Sequence, residues 1–300
     1  MNQVGVVSHD AGGAEIISNW VKENPNKYSY NFFLEGPAVS IFKKNISKDL
    51  IIFNDMDSFL NKSDFLVCGT SWQSSLEKRF VCEANLRKKK VVSILDHWIN
   101  YRERFSYNNK INLPSEIWVC DSYALEIAKQ TFTNLKIKLI TNPYIKSIED
   151  RIANNKKTLD QNVSTQILYV CEPIREHAKL QHGNENFYGY TEESALEYFL
   201  ENVNTMKLNF DSIHIRPHPS ELQDKYNWAL SNFKNFNITI GSQNDLIDDV
   251  LSSEIVVGCE SMAMAVALVA RKRVYTSIPP DGRECVLPHN EIKKIHENRS

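Results

Sequence analysis

Along most of the chain, short runs of β-branched and aromatic residues alternate with longer stretches of helical period, and this alternation restricts the fold more than any other feature. It is the pattern of repeated βαβ units, which bury a parallel sheet beneath helices. Strands are expected at Val4 to Ser8, Tyr30 to Leu34, Phe65 to Gly69, Val91 to Leu95, Ile117 to Cys120 and Ile137 to Ile140, with helices at Gly13 to Lys22, Ser74 to Arg87 and Ser122 to Thr131. A polar stretch without aromatics follows, and residues 147–165 read as a linker carrying a short exposed helix. The alternation then restarts. Strands are expected at Ile167 to Cys171, Ser212 to Arg216, Ile238 to Ile240, Ile255 to Val257 and Val274 to Thr276, and helices at Thr191 to Val203, Glu221 to Phe233, Asn244 to Leu251 and Ser261 to Ala270. The expected fold is therefore α/β, with two Rossmann-like domains, 1–146 and 166–300, whose parallel sheets face each other across a cleft.

Charge and composition exclude several classes. Lys and Arg total 35 against 37 Asp and Glu, so no global field draws the chain to nucleic acid or anionic lipid. No nucleic-acid partner is expected. With 42% hydrophobic and 24% charged residues among 300, the chain can bury a core rather than remain disordered. The six cysteines form no CxxC pair, which reads as a reducing compartment without structural zinc. The start MNQVGVVSHDAGG has neither the basic nor the apolar region of a signal peptide, and no run approaches the roughly 18 apolar residues of a membrane span. The expectation is a cytoplasmic protein, with peripheral contact at the inner face of the membrane left open. The basic run Arg87 to Lys90 reads as the solvated end of a helix.

In open parallel sheets, ligands collect beyond the carboxyl ends of the strands, so polar clusters there carry the functional reading. After the first strand come His9, Asp10, Gly12 and Gly13, opening a helix. The glycines permit close approach of a ligand, and Asp10 is a candidate general base; the competing reading makes it an ordinary helix cap. After a later strand, Asp96, His97, Arg102 and Arg104 could hold a carboxylated or hydroxylated sugar, and His97 rivals Asp10 as the base. The turn Gly69-Thr70-Ser71, with Ser74 and Ser75, reads more simply as a helix cap. In Arg216-Pro217-His218-Pro219, two prolines fix the imidazole at a strand end, which suits phosphate recognition by Arg216 and His218. Farther on, Glu260, Ser261 and Met262 open a small-residue helix whose first backbone N–H groups can bind phosphate. A GxGxxG fingerprint is absent, which argues against a dinucleotide enzyme; no cofactor is expected.

The Arg216-Pro217-His218-Pro219 segment, followed by Glu260-Ser261 at the next helix start, resembles the His-Pro and downstream Ser motifs of bacterial GT-B glycosyltransferases. The sialyltransferase, polysialyltransferase and capsule Kdo-transferase types are the most similar. Cys171-Glu172-Pro173-Ile174-Arg175-Glu176 is similar to the strand-end segment that opens their C-terminal domain, which makes Glu172 and Arg175 donor or acceptor contacts. The resemblance implies an N-terminal acceptor domain and a C-terminal domain holding the phosphate of a CMP-sugar. The usual serine pair is Glu260-Ser261 here, so Glu260 could instead bind ribose hydroxyls.

The reaction implied is metal-independent, inverting transfer of a sugar, an acidic one, from a CMP-sugar to a glycan or lipid-linked glycan acceptor in surface polysaccharide synthesis. Asp10 would take the acceptor proton while Arg216, His218 and the Ser261 helix start stabilise the departing phosphate. Alternatives are a GT-B-shaped nucleotide-sugar 2-epimerase or hydrolase, a polyol-phosphate transferase, and a non-catalytic subunit of a polysaccharide assembly complex.

Overall fold

The computed structural model describes residues 1–71, 74–155 and 165–295. Within the first part the strands are β1 (Gln3–Ser8), β2 (Ser29–Leu34), β3 (Phe65–Cys68) and β4 (Lys90–Ile94), then a small antiparallel hairpin of β5 (Ser106–Tyr107) and β6 (Lys110–Ile111), then β7 (Glu116–Val119) and β8 (Lys136–Leu139). The helices between them are α1 (Ala11–Glu23), α2 (Pro37–Asn45), α3 (Met56–Asn61), α4 (Leu76–Leu86) and α5 (Ser122–Thr131), with α6 (Pro143–Asn155) after β8. The second part contains β9 (Gln166–Val170), α7 (Ile174–His182), α8 (Glu192–Asn202), β10 (Ser212–Arg216), α9 (Trp228–Asn232) and β11 (Ile238–Ile240). It continues with α10 (Leu246–Ser252), β12 (Ile255–Gly258), α11 (Met262–Val269), β13 (Arg273–Thr276) and β14 (Lys293–Lys294). The chain divides into two compact units, Met1–Ser147 and Ile148–Ser300.

Both units are six-stranded parallel sheets, ordered β2-β1-β3-β4-β7-β8 and β11-β10-β9-β12-β13-β14. The central strands are almost continuously apolar because helices cover both faces. In the first unit Val4 and Val6 of β1 pack on Ala14 and Ile17 of α1, while Val7, Leu66 and Cys68 pack on Phe59 and Phe80 of the opposite layer. In the second, Ile167, Tyr169, Ile213 and Val257 form one core with Phe199 and Leu200 of α8. All six cysteines are free, and Cys68, Cys171 and Cys259 are buried small apolar residues.

The eleven expected strands and most expected helices lie within two residues of their expected ends, while the short strands β5, β6 and β14 are not expected from the sequence. One helix is corrected: of Glu221 to Phe233, only α9 is helical. The preceding residues form turns because the Glu221 side chain folds back, accepting from the His218 backbone N–H (2.9 Å) and the Tyr226 hydroxyl (2.8 Å). The helices α2, α3 and α7 are additional. Of the segment read as a linker, 147–155 is the end of α6 and 156–164 lies outside the described residues.

Each strand order reverses direction at one place. In the first sheet the chain leaves β1 for β2 on one side and returns for β3 on the other; in the second it leaves β9 for β10 and returns for β12. These switch points, where neighbouring connections part, open a crevice beyond the strand ends.

Candidate active site

At the first switch point, His9 and Asp10 follow β1. The Asp10 carboxylate does not cap α1. Its Oδ1 lies 2.7 Å from His9 Nδ1 instead, leaving both side chains partly exposed. Burial pushes the Asp10 carboxyl above the usual aspartate range, with His9 opposing the rise and Asp96 adding to it. The turn itself is held from beneath: the His9 backbone N–H donates to Glu77 Oε1 (2.8 Å), and Ser71 Oγ donates to Glu77 Oε2 (3.0 Å). Glu77, in the first turn of α4, is only 2% exposed, and burial pushes it up to about 7, with Asp10 adding to the rise.

Asp96, after β4, completes this cluster. Arg104 reaches it from a short turn, donating to Asp96 Oδ1 (2.7 Å) and to the Thr70 carbonyl (2.6 Å), so a buried cation fixes the carboxylate. Gly12 allows the approach of Asp96: a Cβ there would lie 2.4 Å from Asp96 Oδ2. Gly13 is buried where α1 meets Gly69. His97 accepts the Trp98 backbone N–H at Nδ1 (2.9 Å), and the Trp98 indole donates to Asp121. Arg102 is exposed on the following turn, with Trp98 and Tyr101 beside the same surface hollow.

At the second switch point, Glu172 follows β9 and Glu260 follows β12. The Glu260 backbone N–H donates to Glu172 Oε2 (2.8 Å). The Glu260 carboxylate pairs with Arg283 through Oε1, and among the described residues its buried Oε2 has no side-chain partner. Arg283 stacks on the Tyr188 ring, 3.5 Å from its centroid. Burial pushes Glu172 up to about 8, with neighbouring Glu260 as the next cause, and burial also raises Glu260 against the pull of Arg283. Ser261 caps α11, its hydroxyl accepting from the Ala263 N–H (3.2 Å), and Met262 is the first, half-buried residue of that helix.

His218 stands after β10. Its Nδ1 lies 2.7 Å from Ser220 Oγ and 3.2 Å from the Ser220 backbone nitrogen; with that N–H donating to Nδ1, the neutral ring carries its hydrogen on Nε2, and burial holds the imidazole below its ordinary range. A neutral ring with an Nε2–H is a donor suited to a phosphate oxygen. Arg216, expected to share that task, turns elsewhere: it forms an ion pair with buried Asp249 of α10 and donates to the Asn244 carbonyl (3.0 Å). Arg175 likewise pairs with Glu193 of α8, and its backbone N–H donates to Glu192 (2.8 Å).

The first unit thus gathers His9, Asp10, Gly12 and Asp96, and the second gathers Glu172 and Glu260, while Arg175 and Arg216 are committed to acids on neighbouring helices. The sequence reading passed over Glu77, Arg283 and His177. His177, one residue beyond the strand-end motif, faces His218 closely enough to depress its protonation further. Glu77 gave a signal only in being an acid on the buried first turn of a helix that follows a hydroxyl-rich loop.

No protein-family model and no curated protein sequence matches the chain. Solved structures do. The Staphylococcus aureus MnaA–UDP co-structure is 11% identical at a TM-score of 0.61, over 94% of this chain and 80% of that one. The UDP-GlcNAc 2-epimerase of Methanocaldococcus jannaschii with UDP-GlcNAc and UDP is 11% identical at 0.58, over 91% and 83%. That of Neisseria meningitidis bound to UDP-GlcNAc is 13% identical at 0.57, over 91% and 82%. The fold is therefore GT-B-like, two parallel-sheet α/β units. Among the described residues no helix is long and apolar enough to cross a membrane.

Proposed function

We propose that the chain is a nucleotide-sugar enzyme, and specifically an inverting glycosyltransferase that moves an acidic sugar from a CMP-sugar to a glycan acceptor in surface polysaccharide synthesis. The observation that carries this reading is the state of Asp10. A helix-capping aspartate would be spent on backbone N–H groups, but this one is bonded to His9, partly exposed, and more basic than usual. Such a carboxylate suits removal of a hydroxyl proton from an acceptor. In the proposed reaction the bond from the sugar's anomeric carbon to the phosphate oxygen breaks and its electron pair stays with the phosphate. The acceptor oxygen attacks the opposite face, and its proton passes to Asp10.

The second unit supports a donor that brings a single phosphate. Each of Arg175, Arg216, Lys225 and Arg283 is already paired with a carboxylate, so the phosphate would rest on neutral donors such as His218 Nε2–H. A CMP-sugar carries one phosphate charge where a nucleoside diphosphate sugar carries two.

A nucleotide-sugar 2-epimerase is the second reading, and it is favoured by the UDP-GlcNAc 2-epimerases among the solved structures of like fold. One experiment separates the two. The purified protein is screened by thermal shift with CMP, CDP, UDP, GDP and ADP, then given the matching nucleotide sugar with and without glycan acceptor. Selective stabilisation by CMP and acceptor-dependent release of CMP support transfer. Stabilisation by UDP with interconversion of the sugar in the absence of acceptor supports epimerisation.

A further inference from the structure

Two carboxyl groups share the second switch point with one guanidinium. Glu260 holds Arg283, and Glu172 has no cation of its own. Its Oε2 accepts the Glu260 N–H, so a proton held by this carboxyl sits on Oε1. The groups facing Glu172 are Glu260, Arg283 and Glu221, with the Cys171, Cys259 and Cys285 thiols and the Tyr190 phenol, all four of which burial keeps neutral. Glu221 is itself paired with Lys225 (2.8 Å). An incoming phosphate would therefore meet carboxylates wherever it meets cations, and one more ionised carboxylate would repel it.

We propose that Glu172 is held as the neutral carboxylic acid and donates its O–H, from Oε1, as a hydrogen bond to a phosphate oxygen of the bound nucleotide. This rests on the nucleotide-sugar reading above. It makes Glu172 a phosphate-contact residue beside His218, and both are neutral donors rather than charges. A preorganised neutral donor strengthens its bond as negative charge gathers on the departing phosphate, without any proton leaving the carboxyl. Burial that raises the carboxyl to about 8 supplies the neutral form near pH 7.

The test joins a ligand-free measurement to a binding measurement, made on wild type and Glu172→Gln, which keeps both an acceptor for the Glu260 N–H and an uncharged donor. In protein labelled with ¹³C at glutamate carboxyls, one resonance absent from the variant should titrate near pH 8. Calorimetry with CMP from pH 6.5 to 9.5, UDP alongside, should show wild-type affinity falling about tenfold per pH unit above that midpoint, as one proton is lost. The variant should bind at pH 6.5 within a few-fold of wild type and show no such fall. A Glu172 signal titrating in the ordinary carboxylate range overturns the proposal, and so does a parallel fall in the variant. If wild type binds neither nucleotide at any pH, the nucleotide reading fails and takes the phosphate role with it, even where the carboxyl titrates near 8.

Discussion

Glu260 donates its backbone N–H to Glu172 across the switch point of the second sheet, at 2.8 Å, so the end of β12 is tied to the end of β9 by an acid rather than by a cation. The first sheet uses the same device. Glu77 takes the His9 N–H at 2.8 Å and secures the end of β1. In both units a carboxyl with a raised protonation range, Glu77 in one and Glu172 in the other, accepts a backbone N–H at the strand ends, and Asp10 and His218 stand partly exposed after neighbouring strands.

Asp10→Asn should abolish most turnover without unfolding the protein. Losing a general base costs about 10²- to 10⁴-fold. Because the carboxylate makes no cap bond to α1, the melting temperature should stay near that of wild type. In wild type, activity should fall as pH drops through a value above the 3.8 of an ordinary aspartate, since burial raises this carboxyl. A pH–rate profile and a thermal melt check both; a variant that loses stability as much as activity returns Asp10 to a structural role.

Arg216→Ala and His218→Ala should fail in opposite ways. Removing Arg216 leaves Asp249, 3% exposed, without its ion pair, a loss of about 3 kcal/mol for a buried carboxylate. The variant should melt earlier yet still respond to nucleotide. His218→Ala should melt near wild type and lose the stabilisation by nucleotide, which for ligand at 100 times its Kd is about 2.7 kcal/mol. Thermal shift of the two variants with and without CMP measures the contrast.

Gly12→Ala probes the packing of the first cluster. The added Cβ would sit 2.4 Å from Asp96 Oδ2, and Arg104 holds that carboxylate at 2.7 Å from the other side. Asp96 or the β1–α1 turn must therefore shift. A displacement near 1 Å costs about 10²-fold in rate. Steady-state kinetics should show the loss, and an unchanged kcat would mean that Asp96 moves freely.

The fold was legible because burial in a parallel sheet writes itself into the sequence as apolar runs such as Val4 to Val7 and Ile255 to Val257. The positions of Asp10 and His218 beyond strand ends were legible for a related reason, since each lies within two residues of a strand expected from the sequence. Arg216 was not, because its partner Asp249 lies 33 residues away and nothing local distinguishes a phosphate-binding arginine from a paired one. Glu77 was illegible too: an acid in the first turn of a helix is ordinarily a favourable surface residue. Its burial comes from packing α4 against β1 and β3, which only the tertiary structure reveals. The missing helix at Glu221 has the same origin, an acid whose side chain serves the neighbouring His218 turn.

Glu77 also makes stability depend on pH in a predictable sense. In the unfolded chain it titrates near 4.5, and in the folded protein near 7. Below pH 4.5 both states hold the proton and the group has no effect. Between the two values only the folded state keeps it, so stability falls as pH rises, and above 7 the full loss of about 3 kcal/mol is present. Glu77→Gln retains an acceptor for the His9 N–H and cannot ionise, while its amide NH₂ replaces the oxygen that accepts from Ser71, whose hydroxyl can turn to accept instead. Urea unfolding at pH 5 and pH 8 should therefore show the variant gaining on wild type at the higher pH, while contributions from other titrating groups cancel in the difference. Equal pH dependence in the two proteins would mean that Glu77 ionises as a surface glutamate does, and that the β1 turn owes nothing to a neutral carboxyl.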